Sequence, residues 1–307
     1  MDLSENILFI RSFPSMDILP LFCEIDDFCR VFEKLYQHRA LSNGKKRNRA
    51  TRLSQSEVMT ILVMYHQSGY KNLKAFYLEE ILRHRYAEFP TLCSYQRFVQ
   101  LQSRCVLPLF FYLLIKRGSC TGISFIDATP LKVCHNLRIR SHKVFAGSAT
   151  RDKSSTGWYF GFKLHLAINE RGEILGFYLT AANVDERVPT DWITQNLTGK
   201  LIADKGYISK DLFEKLMSRG LRLITKLRKN MKNRFVEIED KILLRKRAII
   251  ETVNDQLKNI SNIEHSRHRS MWNFLGNVAA GLIAYSWKEK KPSLNLNFKK
   301  TVPAIVI

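Results

Sequence analysis

The sequence predicts an α/β protein in which a mixed sheet follows an all-helical region, and three observations carry that expectation. The apolar run Leu201-Ile202-Ala203 ends on Asp204 and turns at once through Gly206, as a buried parallel strand does. Ser209 then caps a helix with Leu212, Phe213, Leu216 and Met217 on one face, Gly220 closes it, and Leu221 to Leu227 resumes strand character. That is a strand-helix-strand unit with Asp204 at the carboxyl end of its first strand, where ligands gather in open sheets. Second, Phe160, Phe162, Leu164, Leu166 and Ile168 alternate with Gly161, Lys163, His165 and Ala167, a clean period of two. Third, apolar residues before residue 118 recur at helical spacing instead.

Composition narrows the classes. With 307 residues, 45% of them apolar, the chain can bury a sizeable core and form two domains. A net charge of +21 and a pI near 9.8 exceed what solubility requires and point to a polyanionic partner. Nucleic acid leads, because Lys and Arg are spread through folded-looking segments with interleaved aromatics; an anionic membrane surface is the alternative. The longest apolar stretches, Val106 to Ile115 and Phe274 to Trp287, read as too short to span a bilayer. Met1-Asp2-Leu3-Ser4-Glu5 lacks a basic start and a long apolar core, so no signal peptide is expected. The six cysteines form no C-x-x-C pair and read as reduced thiols of a cytoplasmic protein.

The helical region takes residues 1–117. An amphipathic stretch covers Ile25 to Tyr36, and a basic turn follows from Lys45 to Arg52. Ser54-Gln55-Ser56-Glu57 is a capping box for a helix carrying Val58, Met59, Ile61, Leu62 and Tyr65, closed by Gly69. Leu73, Phe76, Tyr77 and Ile81 predict a second helix, stopped at Phe89-Pro90. Ser94 caps a third, with Phe98, Leu101 and Cys105 inward and Gln96, Arg97, Gln100 and Arg104 on an exposed stripe; Pro108 is expected to end or kink it. Three short helices with such a stripe resemble a helix-turn-helix module, since Gln and Arg read adenine and guanine edges bidentately. The plainer reading is a small helical domain with a polar face.

Residues 118–290 read as the second domain, with 291–307 as a tail of unknown role. Ile123 to Ile126 is a strand running into Asp127, and a basic stretch follows from Lys132 to Arg151. The turn Asn169-Glu170-Arg171-Gly172 closes an antiparallel hairpin, and a helix is expected around Asp185 to Asn196. Three antiparallel strands and then a parallel β-α-β unit is the order of a ribonuclease-H-like mixed sheet. From Ile242 to Ile260 one helix carries an apolar stripe and a second stripe of Arg247, Glu251, Asn254 and Lys258. Such a stripe is often a solvated ion-pair ladder, yet Arg placed before Glu at i, i+4 is the less favourable orientation, which favours a functional face. Trp158 and Trp272 read as core or interface residues, and Asp185 and Asp191 as capping or solvent-facing carboxylates.

Asp127 in Phe125-Ile126-Asp127-Ala128-Thr129-Pro130, Asp204 in Ala203-Asp204-Lys205-Gly206-Tyr207, and Glu251 spaced between Arg247 and Lys258 resemble the catalytic acids of DDE transposases of bacterial insertion sequences. Lys143-Val144-Phe145, Gly157-Trp158, Phe162-Lys163-Leu164-His165, Asn230-Met231-Lys232 and the run Glu264 to Arg269 resemble the insertion sequence 982 family, and the likeness spans Leu53 to Leu294. Leu244 stands where many relatives carry Tyr, and the interval between Leu227 and the Glu251 helix is too short for the domain that some relatives insert there.

The resemblance implies a transposase that binds element ends, cleaves phosphodiester bonds and joins 3′-hydroxyl ends to target DNA. It implies Asp127, Asp204 and Glu251 as catalytic metal ligands for two Mg²⁺ ions, with Mn²⁺ able to substitute. Three carboxylates would otherwise repel a phosphodiester, and Mg²⁺ favours carboxylate and phosphate oxygen. Arg247 and Lys258 would hold the phosphate backbone, with Lys205 and Lys163 as lesser candidates. The expected partners are double-stranded element-end and target DNA and further copies of the chain, as a homodimer or higher on DNA. No membrane is expected, and the setting would be the bacterial cytoplasm, at the nucleoid. A metal-dependent nuclease or resolvase without strand transfer, and a non-catalytic DNA-binding protein, are the other readings.

Overall fold

A computed structural model of the chain describes residues 17–37, 51–154, 157–227, 237–264 and 268–296. Most of the expected basic turn, the Asn230-Met231-Lys232 motif, His265 to Arg267 and the end of the tail lie outside the described residues. The chain divides into two compact units, residues 1–115 with 272–284, and residues 116–271 with 285–307. The last long helix, read from the sequence as part of residues 118–290, therefore counts mostly with the first unit.

The first unit is helical. Helix α1 (Ile18–Gln37) buries Leu21, Ile25 and Cys29. Helix α2 (Gln55–Gln67) is apolar nearly all round and is buried from Val58 to His66, as such a helix must be. Its capping box forms in full: the Glu57 N–H donates to Ser54 Oγ at 3.1 Å, and the Ser54 N–H donates to Glu57 Oε2 at 2.6 Å. The second expected helix is instead three short turns in succession, α3 (Leu73–Ala75), a wide π-type stretch (Phe76–Ile81) and α4 (Leu82–His84). Widening lets Phe76, Tyr77 and Ile81 all turn inward, and the Tyr77 hydroxyl donates to the Cys93 carbonyl at 2.7 Å.

Ser94 caps α5 (Tyr95–Gln102), Phe98 and Leu101 face in, and Gln96, Gln100 and Arg104 are exposed, with Arg97 half-buried. Pro108 does not end the run. A tight 3₁₀ turn at Ser103–Cys105 precedes α6 (Val106–Ile115), and Pro108 falls in the first turn of α6, where its missing N–H costs nothing. The joined run Tyr95–Ile115, 21 residues, is long and apolar enough to cross a membrane by length and composition, contrary to the expectation from Val106 to Ile115 alone. Half of its most apolar window is buried within the protein, and the Tyr112 hydroxyl donates to Glu24 Oε1 of α1 at 3.0 Å, the environment of a core helix.

The second unit is built on six strands, β1 (Ile123–Cys134), β2 (Thr150–Ser154), β3 (Gly157–Asn169), β4 (Ile174–Ala181), β5 (Gly199–Ala203) and β6 (Leu221–Thr225). The order is β2-β3-β1-β5-β6, and β4 shares the outer edge of β3 with β2. β1 and β3 run antiparallel, while β1, β5 and β6 run parallel. Because β3 is covered on both faces along most of its length, the alternates His165 and Ala167 are buried too, and His165 Nε2 pairs with Thr180 Oγ1 at 2.9 Å. The hairpin turn between β3 and β4 needs glycine at 172, where φ is +71° and an added Cβ would meet the Pro292 carbonyl at 2.2 Å. Part of the tail is thus tied to this turn, and the Leu294 N–H donates to the Glu170 carbonyl at 2.8 Å.

Three helical expectations change here. The stretch from Asp185 to Asn196 forms only α7 (Thr190–Ile193), because Pro189 lacks an N–H and Asp185 accepts from the Arg187 N–H at 2.9 Å, shaping a turn. Helix α8 (Lys210–Met217) is capped by Ser209 as expected, but only Leu212 and Leu216 of its four apolar residues are buried. The long Glu251 helix is two helices, α9 (Ile238–Lys246) and α10 (Ala248–Asn259), meeting at Arg247. Asp240 on α9, buried, binds Lys200 Nζ of β5 at 2.8 Å and Arg222 Nη2 of β6 at 3.1 Å. Helix α11 (Met271–Ser286) is the last regular element among the described residues. Trp158 and Trp272 are exposed, not core.

Candidate active site

The parallel ladder between β1 and β5 ends at Phe125 opposite Ile202. Asp127 and Asp204 each lie two residues further on, and since strand side chains repeat every two residues, both carboxylates leave the face that Phe125 and Ile202 share. Asp127 is not at the end of its strand, since β1 continues beside β3 to Cys134. It is at the end of the parallel pairing, where the sheet opens. The opposite face is filled by Ile126, Leu201 and Ala203 against Leu212 and Leu216, so the acids lie away from the core under α8.

Helix α10 packs against β1 and supplies the third acid. Arg247, at the break before α10, donates from Nη2 to Glu251 Oε1 at 2.5 Å and from Nη1 to Asp127 Oδ1 at 3.4 Å. The other oxygen of Asp127 accepts from Asn254 Nδ2 at 3.1 Å. Burial pushes the Asp127 carboxyl up to about 7; Arg247 pulls it back, while Glu186 and Glu251 push it further. Asp204 is exposed at the start of the turn after β5.

Glu186 is a fourth carboxylate that the sequence reading passed over for its neighbour Asp185. The turn enforced by Pro189 brings it beside Gly206, where its Oε2 would be 3.4 Å from an added Cβ. Burial raises its pKa, Lys163 opposes this, and Asp185, Asp204 and Asp152 add to the rise. Its only signal in the sequence was adjacency to Asp185. Tyr207 is buried with Ala203, Leu212 and Leu216 in the core under α8, and its hydroxyl is held well above its ordinary pKa by burial, then by Glu186 and Asp127, with Arg247 opposing and Asp204 adding.

Lys258 and Lys163, like Arg247, are engaged by acids. Lys258 Nζ lies 3.7 Å from Glu264 Oε2, and Glu264 Oε1 also accepts the Lys132 N–H at 2.9 Å. Burial lowers the Lys258 pKa and Glu264 opposes it. Lys163 pairs with Asp152 at 3.0 Å and donates to the Val184 carbonyl at 3.2 Å. Lys205 is exposed beside Asp204. Gln96, Arg97, Gln100 and Arg104 belong to the helical unit, and Arg97 Nη1 donates to Gln100 Oε1 at 2.9 Å. Asp185 pairs with Arg187, and Asp191 with Lys215 and Arg219.

Carboxylate oxygens are the donor type that a hard divalent cation takes. Among the described residues, no three His, Cys, Asp or Glu side chains stand close enough to share one ion. Arg247 supplies the counter-charge between Asp127 and Glu251 instead.

Fold and site define the class as a mixed α/β protein with acids gathered beyond a parallel ladder and a third acid brought by a late helix. Residues 117–271 match the family described as a transposase DDE domain, half of the chain. The chain belongs to that family. Among solved structures it is similar to a piggyBac transposase synaptic complex with hairpin DNA, at 10% identity and a TM-score of 0.51, covering 88% of this chain and 74% of that one. That likeness is one of fold. The Mos1 strand transfer complex matches at 11% identity over 84% of this chain and 86% of that one, with a TM-score of 0.22, too low to speak to the fold. No curated protein matches.

Proposed function

We propose that the chain is a transposase that binds the ends of an insertion sequence resembling the 982 family, cleaves there with divalent-metal assistance and joins the 3′-hydroxyl ends to target DNA. The observation that carries this reading is the equal offset of Asp127 and Asp204 beyond the Phe125–Ile202 pair, with Glu251 linked to Asp127 through Arg247. The strand order, three antiparallel strands leading to parallel β5 and β6, supports a ribonuclease-H-like domain. The +21 charge supports duplex DNA as partner, which the helical unit would help bind through Gln96, Arg97, Gln100 and Arg104. Six free cysteines suit the reducing bacterial cytoplasm. A homodimer or larger assembly on DNA belongs to the same reading, since two ends must meet.

Asp127, Asp204 and Glu251 would hold Mg²⁺ or Mn²⁺, which when bound activates water and stabilises the leaving oxygen of an in-line displacement. Arg247 would exchange its carboxylates for a DNA phosphate, and Lys258 would exchange Glu264, so that acids and phosphate do not repel each other. Glu186 adds negative charge next to Asp204, and Asn254 keeps Asp127 oriented.

Incubation with labelled element-end DNA and Mg²⁺ should give nicks at the element ends and, with target DNA, joined products. Nicks without joining would favour a nuclease or resolvase. Asp127→Asn, Asp204→Asn and Glu251→Gln should each abolish cleavage and spare DNA binding. A variant cleaving within about tenfold of wild type, only about 1.4 kcal/mol in barrier, would remove that residue from the catalytic set.

A further inference from the structure

The sheet face that carries Asp127 continues away from the acids to a cation-rich end. Asp127 pairs with Leu166, and Leu164, Phe162, Phe160 and Trp158 keep to the same face of β3 by alternation. Arg151 and Lys153 of β2 pair with Phe160 and Trp158, so both cations share the face of Asp127. The segment after β1 lies on it too. The rings of His142 and Phe145 pack on those of Phe160 and Phe162 at 6.1 and 5.6 Å, and Asn136 Nδ2 donates to the Trp158 carbonyl at 2.7 Å. This segment presents Arg138, Arg140 and Lys143 to solvent. From Leu166 to Trp158 the strand runs roughly 27 Å, at about 3.4 Å per residue.

From Ala128 to Arg151 the sequence has five Lys and Arg and no Asp or Glu. Asp152 turns to the opposite face, where it pairs with Lys163 at 3.0 Å. Arg138, Arg140, Lys143, Arg151 and Lys153 are all exposed, and among the described residues none of them has an ion-pair partner. Elsewhere in this unit cations are neutralised: Lys200 and Arg222 by Asp240, Arg219 by Asp191, Arg247 by Glu251. Like charges gathered without counter-charges repel one another and concentrate a positive potential that draws a polyanion. Two apolar side chains stand among these cations, Trp158 at 62% and Leu137 at 89% exposure. Nucleic acid suits that mixture, since it offers apolar sugar and base surfaces between its phosphates. A membrane-surface site would instead set its cations along an amphipathic helix with a broad apolar face, whereas these lie on a strand and a short turn.

We propose that this end of the sheet is a DNA-binding site that grips the backbone of the duplex whose phosphodiester lies at the acids. Arg138, Arg140, Lys143, Arg151 and Lys153 contact phosphates, and Trp158 packs its indole on a sugar or base between them. The length of the face corresponds to about eight base pairs of duplex at about 3.4 Å each. Phosphate contacts at that distance fix the register of the duplex on the sheet and so choose which bond meets Asp127. The inference rests on the proposed function, and it adds a binding face separate from the helical unit and from Arg247 and Lys258.

The test is binding of element-end duplex to the full-length protein across a range of salt, with melting measured on each variant. The double variant Arg151→Gln with Lys153→Gln should bind about tenfold or more weaker at about 0.15 M salt and flatten the log-log salt slope by about 1.8, the loss of two phosphate contacts. Lys210→Gln with Lys215→Gln removes the same charge from α8, across the sheet from the acids, and should leave the slope unchanged. Trp158→Ala should weaken binding about fivefold or more with no change of slope, since it removes no phosphate contact. Equal losses in the two double variants would mean that only net charge matters, and they overturn the site, as does an unchanged slope in the first. Should that variant melt well below wild type, Arg138→Gln with Arg140→Gln and Lys143→Gln decides by the same measure. Unchanged binding in Trp158→Ala removes Trp158 from the face. Anionic vesicles that bind wild type and lose the first double variant, while its DNA binding stays intact, overturn the choice of partner. Duplex binding with the expected dependences but without nicks or joined products leaves the inference standing and removes the transposase chemistry. Nicking and joining with no slope change in the face variants does the reverse, and wild type that binds no duplex overturns both.

Discussion

Asp127 combines demands that conflict in the absence of metal. Its side chain is only 20% exposed, the charges of Glu186 and Glu251 bear on it, and its compensation comes from Arg247 and Asn254. Held up to about 7 against an ordinary 3.8, it keeps a proton in the folded state that the unfolded chain has released above pH 4. Its contribution to stability is therefore complete below about pH 4 and is withdrawn as pH rises through 7. In metal-free protein, Asp127→Asn should melt close to wild type at pH 4 and above it at pH 8, by at least about 4 °C. A difference that does not change between the two pH values would mean that the carboxyl is not strained as its surroundings imply. His165 has the opposite sign: burial lowers it to about 4, so its contribution is lost as pH falls from 6.5 through 4. Comparing variant with wild type at each pH removes that background.

At the scale of elements, the placement of Glu251 depends on α9 as much as on α10. Asp240 ties α9 to two neighbouring parallel strands through Lys200 and Arg222, and Glu237 and Glu239 add exposed partners. The pairing is only partly buried, since Asp240 is 1% exposed while Arg222 is 43% exposed. Removing the acid should therefore cost less than the 3 to 5 kcal/mol of a fully buried pair. Asp240→Asn should lower stability by about 2 kcal/mol in urea unfolding, far more than the roughly 0.3 to 0.5 kcal/mol of an exposed helix pair. A loss under about 0.5 kcal/mol would mean that α9 is held by Leu243 and Leu244 packing alone. The break at Arg247 matters for the same reason, since the guanidinium reaches Asp127 and Glu251 from the joint between two helices.

For the whole molecule the governing quantity is charge. The chain carries 49 Lys and Arg against 28 Asp and Glu, and several of its acids are spent inside the site and under α9. Binding to duplex DNA should weaken steeply with salt, with a log-log slope near −5 for about six phosphate contacts. A slope shallower than about −2 would mean that few phosphates are neutralised and would turn attention to anionic vesicles. The helical run Tyr95–Ile115 makes that control worthwhile, because its length and composition alone would fit a membrane.

Much of the fold could be read locally. The Ser54 box, the Ser94 and Ser209 caps, the alternation of β3 and the Asn169 turn all depend on residues within a few positions of one another, and each formed as read. Asp127 and Asp204 drew notice for the same reason, as carboxylates placed directly after apolar runs. The failures also have local causes. Pro189 and an Asp185 turn outweighed helical periodicity after β4, and Pro108 at a helix start cost too little to end one. The contacts that give the site its chemistry join residues more than a hundred positions apart: Arg247 to Asp127, Asn254 to Asp127, Lys132 to Glu264. Helical and strand periods say which face a side chain takes, but not which distant element will cover that face. Only the register of β1 against β5, and the packing of α10 against β1, could bring one arginine between two acids.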